Sequence, residues 1–204
     1  MNMIQAISKD APLVLASASP RRKQLLRQMG IPFRTLSSRV REDHLSSDPR
    51  RNARLLAEAK AQAVAQKSSG TWILGADTIV VLGQEVLGKP GNKREAFSML
   101  RRLSGKEHRV ITGFCLLTPE AKTAHSEAVV TRVTFKALTR QEILGYIATG
   151  EPFGKAGSYA IQGIGAFLVQ GITGSYSNVV GLPLCALVKA LLATGAITSF
   201  PISS

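Results

Sequence analysis

Leu13-Val-Leu-Ala-Ser17-Ala-Ser-Pro20-Arg-Arg-Lys23 changes its pattern halfway along. Residues 13–16 form an unbroken apolar run of strand length. Ser19 then offers an N-cap, Pro20 suits the first helical position, and Gly30 stops a helix predicted over about 21–29. A buried strand that turns directly into a helix is the building unit of α/β folds. The stretch also carries a misfit, because Arg21 and Arg22 fall in the first helical turn, at the positive end of the helix dipole. A bound anion resolves it: backbone amides, the Ser17 hydroxyl and the guanidinium groups then converge on a phosphate. The alternative is an ordinary cap followed by a solvated basic face.

Working outward, Asp48-Pro49 repeats the start signal, and a helix is predicted to about residue 66 with Leu56, Ala57, Lys60 and Ala63 on one side. Residues 72–82 read as a largely buried strand rich in Ile and Val. Gly83-Gln84 is a two-residue turn that folds residues 85–87 back as a hairpin. A helix over 92–103 turns Ala96, Met99, Leu100 and Leu103 inward. Residues 109–117 form a strand, and 128–138 alternate cleanly as a half-buried one. Thr139-Arg-Gln-Glu142 is a capping box opening a helix to about residue 149. Residues 150–182 are glycine-rich and are expected to hold short strands. A last helix presents Leu184, Leu187, Val188, Leu191 and Leu192 to the core and closes at Gly195. The fold class is α/β: a mixed, twisted sheet flanked by helices, and the length of residues 1–204 suits one domain, or two lobes around one cleft.

The 204 residues are 45% hydrophobic and 19% charged, which excludes a disordered chain. The formal charge is +13. Half of the 26 Lys and Arg fall in the first 67 residues, which implies an anionic partner: nucleic acid, a phosphorylated small molecule or an acidic surface. Cys115 and Cys185 have no metal-ligand spacing, and a reduced, cytoplasmic setting fits them. Residues 11–18 are short for an export signal and lack a positive flank. Lys189 and Pro183 interrupt the apolar C-terminal segment, so no membrane span is expected.

Three further stretches offer chemistry. In Gly75-Ala-Asp77-Thr78, a carboxylate sits inside an apolar strand, where burial without a partner is costly. Asp77 therefore faces a cleft, coordinates a cation, or pairs with a lysine or arginine. As a cleft carboxylate it would bind Mg²⁺ or act as general base toward water. In Leu87-Gly-Lys89-Pro90, a lysine between Gly and Pro could supply a point charge to phosphate, an exposed turn lysine being the default. In Lys155-Ala-Gly-Ser-Tyr-Ala-Ile-Gln162-Gly163, the Gln162 amide could read a base edge, with neighbouring backbone amides taking a second base carbonyl. A plain glycine-rich hairpin is the alternative. Lys60 is a surface lysine unless its helix lines the site. Residues 150–156 are not a P-loop, Gly163-Ile-Gly165 lacks the rest of a dinucleotide fingerprint, and His44, His108 and His125 have no ligand spacing.

In order along the chain, LASASPRRKQLL, LAEAKA, LGADTIVV, LGKP, LSGKEHRVITG, KAGSYAIQG and GSYSNVVGLPL resemble the Maf family of nucleotide pyrophosphatases, over about residues 13–192. The resemblance implies that residues 1–204 form a single α/β domain of two lobes around a central cleft, often as a homodimer. It implies hydrolysis between the α and β phosphates of a nucleoside triphosphate, with a divalent cation such as Mg²⁺ or Mn²⁺. It places the catalytic aspartate on Asp77 and phosphate-binding groups on Ser17, Arg22, Lys60 and Lys89. A family glutamate falls near Glu42, so the implied metal ligands are Asp77 and Glu42. Arg21, Thr78 and Gln162 match the branch acting on dTTP and UTP; a branch acting on 7-methyl-GTP tends to differ at all three. Gly154 departs from the dTTP/UTP branch, which usually has an acid before Lys-Ala-Gly; Glu151 is a nearby substitute. A nucleic-acid-binding module is the competing class. The charge supports it, but aromatic content is only 5%, no nucleic-acid motif appears, and Asp77 would have no purpose.

Overall fold

Among the described residues, seven strands form one mixed sheet. The computed structural model describes residues 5–38, 40, 46–68 and 70–202. The strands are β1 (Leu13–Leu15), β2 (Phe33–Thr35), β3 (Ile73–Leu82), β4 (Glu85–Leu87), β5 (Glu107–Leu117), β6 (Thr123–Phe135) and β7 (Val169–Thr173). The helices are α1 (Pro20–Gln28), α2 (Pro49–Ala65), α3 (Lys93–Leu103), α4 (Arg140–Ala148), α5 (Tyr176–Val180) and α6 (Leu184–Ala193). Their order is β2-β1-β3-β5-β6-β7, with β4 paired to β3. β1 runs parallel to β2 and β3, whereas β3–β4 and β6–β7 are antiparallel. The α/β class and the mixed sheet read from the sequence are therefore present. The chain divides into two compact units: Met1–Asp77, Thr112–Val129 and Gly181–Ser204 form the first, Thr78–Ile111 and Val130–Val180 the second.

In the first unit, β1 passes through Ser17 into α1. The helix begins at Pro20 as the sequence predicts, yet Ser19 makes no side-chain cap bond. The Ser17 hydroxyl accepts from the Ser19 amide instead, at 3.2 Å. α2 is capped by Asp48, whose carboxylate accepts from the Arg50 amide at 3.0 Å. Its buried face is Asn52, Ala53, Leu56, Ala57, Lys60, Ala61 and Val64, so Ala63 lies off the predicted stripe. Small residues on this face let the helix backbone approach the sheet. A Cβ on Gly75 would lie 2.1 Å from the Ala57 carbonyl oxygen, and one on Gly113 would lie 2.3 Å from that of Ala53. Glycine at these two strand positions is what α2 rests on. Val14, Ala16, Ala57, Ala61, Val64, Ile73, Cys115 and Leu117 fill the core between helix and strands. α6 buries Leu187, Ala190 and Leu191. Leu192 is 41% exposed, which moves the apolar stripe one residue from its predicted position.

In the second unit, Gly83 turns β3 into β4 with a φ of +64°. Asn92 caps α3, accepting from the Glu95 amide at 2.9 Å. α3 buries Ala96, Leu100 and Leu103 and packs on α4, whose capping box of Thr139 and Glu142 is complete. β6, which belongs to the second unit only from Val130 on, begins at Thr123, five residues before its predicted start, because its early residues are polar and only Thr131, Val133 and Phe135 alternate into the core. The glycine-rich region departs most from expectation. It holds two 3₁₀ turns, Ala156–Ser158 and Ile164–Leu168, one strand and the short α5 rather than a series of strands.

Candidate functional site

The turn after β1 gathers hydroxyl and guanidinium groups, as its sequence predicts. Arg22 is 8% exposed even though it sits in a first helical turn that holds no acid. Its Nε donates to the Gly181 carbonyl at 2.7 Å and its Nη1 to the Ser17 hydroxyl at 3.1 Å. The Gly181 carbonyl had no signature in the sequence beyond its place in a matched string. Arg21, one residue earlier, is half-buried.

Asp77 ends the first unit's stretch of β3, on the same face as Gly75. The close approach at Gly75 seats α2 over that face and brings Lys60 to it. Lys60 Nζ lies 2.6 Å from Asp77 Oδ1, and the two residues are 8% and 5% exposed. Of the three readings open for Asp77, the structure supplies the pairing with a lysine. Lys60 is buried rather than on the surface. Glu42 lies outside the described residues, as does His44.

The first unit also carries an open groove of about 550 Å³ lined by Lys9, Lys23, Arg27 and Arg34 together with Phe33 and Thr35. None of Ser17, Arg22, Lys60 or Asp77 lines it. The basic excess of the first third is thus divided, and part of it lies at the C-terminal end of α1, where cations complement the helix dipole.

In the second unit, Thr78 is half-buried and Lys89 is exposed in the loop after β4. That loop is tied to the glycine-rich segment: the Gly157 amide donates to the Gly88 carbonyl at 3.0 Å. Tyr159 anchors the segment further on. Its hydroxyl lies 2.8 Å from His108 Nε2, and the rings of Tyr159, His108 and Phe135 meet edge to face at 4.8 to 5.4 Å. Burial pushes the His108 imidazole down to about 4, against a backbone contact with Lys106. Gln162 follows, half-buried. Of the backbone amides in this segment, those of Gly157, Ala160, Ile164 and Gly165 bond within the protein. Glu151 also differs from the metal-binding substitute suggested by the sequence, since both its oxygens accept from Ile164, Gly165 and Tyr146.

A family model described as Maf-like protein matches residues 12–194. A dTTP/UTP pyrophosphatase of Citrifermentans bemidjiense is 50% identical over 190 residues, covering 93% of this chain and 98% of its own. Those of Geotalea uraniireducens and Ruminiclostridium cellulolyticum are each 52% identical, over 196 and 174 residues. The alignments cover 96% and 84% of this chain, and 100% and 90% of the relatives.

Proposed function

Because the chain belongs to the Maf family, with its model matched over residues 12–194, we propose that it is a nucleoside triphosphate pyrophosphatase cleaving dTTP and UTP to the monophosphate and pyrophosphate. The carrying observation is the buried pair of Lys60 and Asp77, 2.6 Å apart, which holds a carboxylate in a fixed orientation on an apolar strand. Identity near 50% with relatives named dTTP/UTP pyrophosphatase supports the choice of substrate.

In this reading Asp77 accepts a proton from water as the water oxygen attacks the α-phosphorus. The bond from that phosphorus to the α–β bridging oxygen breaks, and pyrophosphate leaves with the electron pair. Lys60 orients the carboxylate. Ser17, Arg21 and Arg22 bind phosphate oxygens at the mouth of α1, where charge-assisted hydrogen bonds offset the charge that develops on them. Lys89, exposed and held on a loop fixed through Gly88, adds a cation for the phosphate chain, and Thr78 follows Asp77 on the same strand as a further polar contact. Gln162 reads the base: its amide can pair with a carbonyl and the N3–H of thymine or uracil.

The residues fit a hard divalent cation such as Mg²⁺ or Mn²⁺. Such an ion is commonly held by one or two carboxylates together with substrate phosphates. Among the described residues no three His, Cys, Asp or Glu side chains gather, and Asp77 offers one buried carboxylate. Asp77, with Glu42, would hold the ion, whose chemistry there is to neutralise phosphate charge. A cytoplasmic homodimer that binds no specific nucleic acid completes the proposal. Cys115 and Cys185 are both free thiols, and no helix among the described residues is long and apolar enough to cross a membrane.

The test is pyrophosphate release from dTTP, UTP, CTP, GTP and 7-methyl-GTP with Mg²⁺ or Mn²⁺. The expected result is the highest kcat/KM for dTTP and UTP. A lead for 7-methyl-GTP would overturn the branch and keep the reaction; release from none would overturn both.

A further inference from the structure

Glu151 lies three residues past the end of α4, and its carboxylate reaches over the turn that follows Gln162. Oε2 accepts from the Ile164 amide at 2.9 Å, and Oε1 accepts from the Gly165 amide at 2.9 Å and from the Tyr146 hydroxyl at 2.8 Å. Tyr146, on α4 and 2% exposed, in turn accepts from the Ala160 amide at 3.1 Å. The segment carrying Gln162 is therefore gripped on both sides of that residue, at Ala160 before it and at Ile164 and Gly165 after it. Space at the grip is fully used: a Cβ on Gly163 would lie 2.1 Å from Glu151 Oε2. Burial works to raise the Glu151 carboxyl, but the Gly165 and Ile164 amides and the Tyr146 hydroxyl outweigh it and leave the group below its ordinary value. Lys155 donates to the Glu151 backbone carbonyl, which closes the loop on its other side.

We propose that Glu151 is a positioning residue that fixes the Gln162 side chain for pyrimidine recognition by clamping the 163–165 turn. The inference rests on the proposed dTTP and UTP activity. Gln162 can discriminate thymine or uracil from cytosine only if its amide is held in one orientation, because cytosine replaces an acceptor and a donor on the same edge with their opposites. A half-buried glutamine on an untethered glycine-rich turn would turn to suit either base. The clamp removes that freedom through an anion whose oxygens match two adjacent amides and one hydroxyl, which neutral glutamine cannot do because half of its amide is a donor.

The experiment pairs kinetics with amide hydrogen exchange on wild type, Glu151→Gln and Tyr146→Phe. In Glu151→Gln, exchange at Ile164 and Gly165 should speed by at least about tenfold, in line with loss of a charge-assisted hydrogen bond. The ratio of kcat/KM for dTTP to that for CTP should fall by about the same factor, mainly through KM. Tyr146→Phe keeps the ring and its packing, and should shift both readouts in the same direction by less. Unchanged exchange at Ile164 and Gly165 would overturn the clamp whatever the substrate. Faster exchange in a variant as selective as a selective wild type would overturn the link to recognition. A wild type that does not prefer dTTP and UTP would instead sink the proposed function and take the selectivity claim with it.

Discussion

Lys60 Nζ and Asp77 Oδ1 lie 2.6 Å apart, in a place where each side chain is almost wholly shielded from water. A buried ion pair adds little net stability, yet removing one partner strands a charge and costs about 3–5 kcal/mol. The pair therefore separates two effects. Asp77→Asn keeps a carbonyl oxygen to accept from Lys60 but strands the ammonium charge, so the protein should melt lower yet stay folded, while turnover falls by at least about a hundredfold. Lys60→Ala strands the carboxylate and removes its donor as well, so it should cost more stability than Asp77→Asn and lower activity too. Thermal melting alongside pyrophosphate release distinguishes the two variants, and near-normal turnover in folded Asp77→Asn would end the catalytic assignment.

Ser17 and Arg22 test the phosphate site. Arg22 has two tasks, holding the Gly181 carbonyl and facing the hydroxyl of Ser17, so Arg22→Ala should weaken folding as well as hydrolysis. Ser17→Ala removes one hydroxyl and leaves the Gly181 contact in place. It should raise KM for the triphosphate by about tenfold, a loss of about 1.5 kcal/mol, with a smaller effect on melting. A Ser17→Ala protein with unchanged KM would show that the hydroxyl serves only the local turn.

Local signals carried most of the fold into view. Asp48-Pro49, Gly83-Gln84 and the Thr139–Glu142 box each act within four residues, and each appears where the sequence puts it. The glycine-rich region did not read correctly because its conformation is set by partners outside it: Gly88 for Gly157, His108 for Tyr159 and Tyr146 for Ala160. The site divides in the same way. Ser17 and Arg22 are five residues apart on one turn, and their meeting is legible. Lys60 and Asp77 sit on a helix and a strand, and only a tertiary close approach joins them. Asp77 stood out as a carboxylate in an apolar strand; which cation answers it was beyond local spacing.

That close approach is itself open to test. A methyl group at Gly75 or Gly113 would collide with the backbone of α2, which cannot swing away as a flexible side chain could. Gly75→Ala and Gly113→Ala should each destabilise the protein by about 3 kcal/mol or more, at the upper end of the usual cost of overpacking. Gly75 shares its strand face with Asp77, so Gly75→Ala should also reduce turnover in the fraction that remains folded. Denaturant midpoints and specific activity measured on the same samples decide the matter; a neutral Gly75→Ala would mean that α2 moves without cost.

His108 sets an acid limit on stability that is independent of the catalytic groups. It is 2% exposed, wedged between Phe135 and Tyr159, and burial lowers its folded value from 6.5 to about 4. The folded state thus favours the neutral ring, while the unfolded chain takes up a proton near pH 6.5. The stabilisation that His108 contributes is complete above that pH and is lost as the pH falls through the folded value. The expected loss between pH 6.5 and pH 4 is about 3 kcal/mol, the free energy linked to the difference in proton affinity between the folded and unfolded ring. Tyr159 needs a partner throughout, so the informative variant is His108→Gln, which offers the hydroxyl an amide but does not titrate. Wild type should lose its denaturation midpoint steeply over this range, and His108→Gln should start lower and fall less. Parallel pH profiles for the two proteins would assign the acid sensitivity to other groups and leave the buried ring as packing alone.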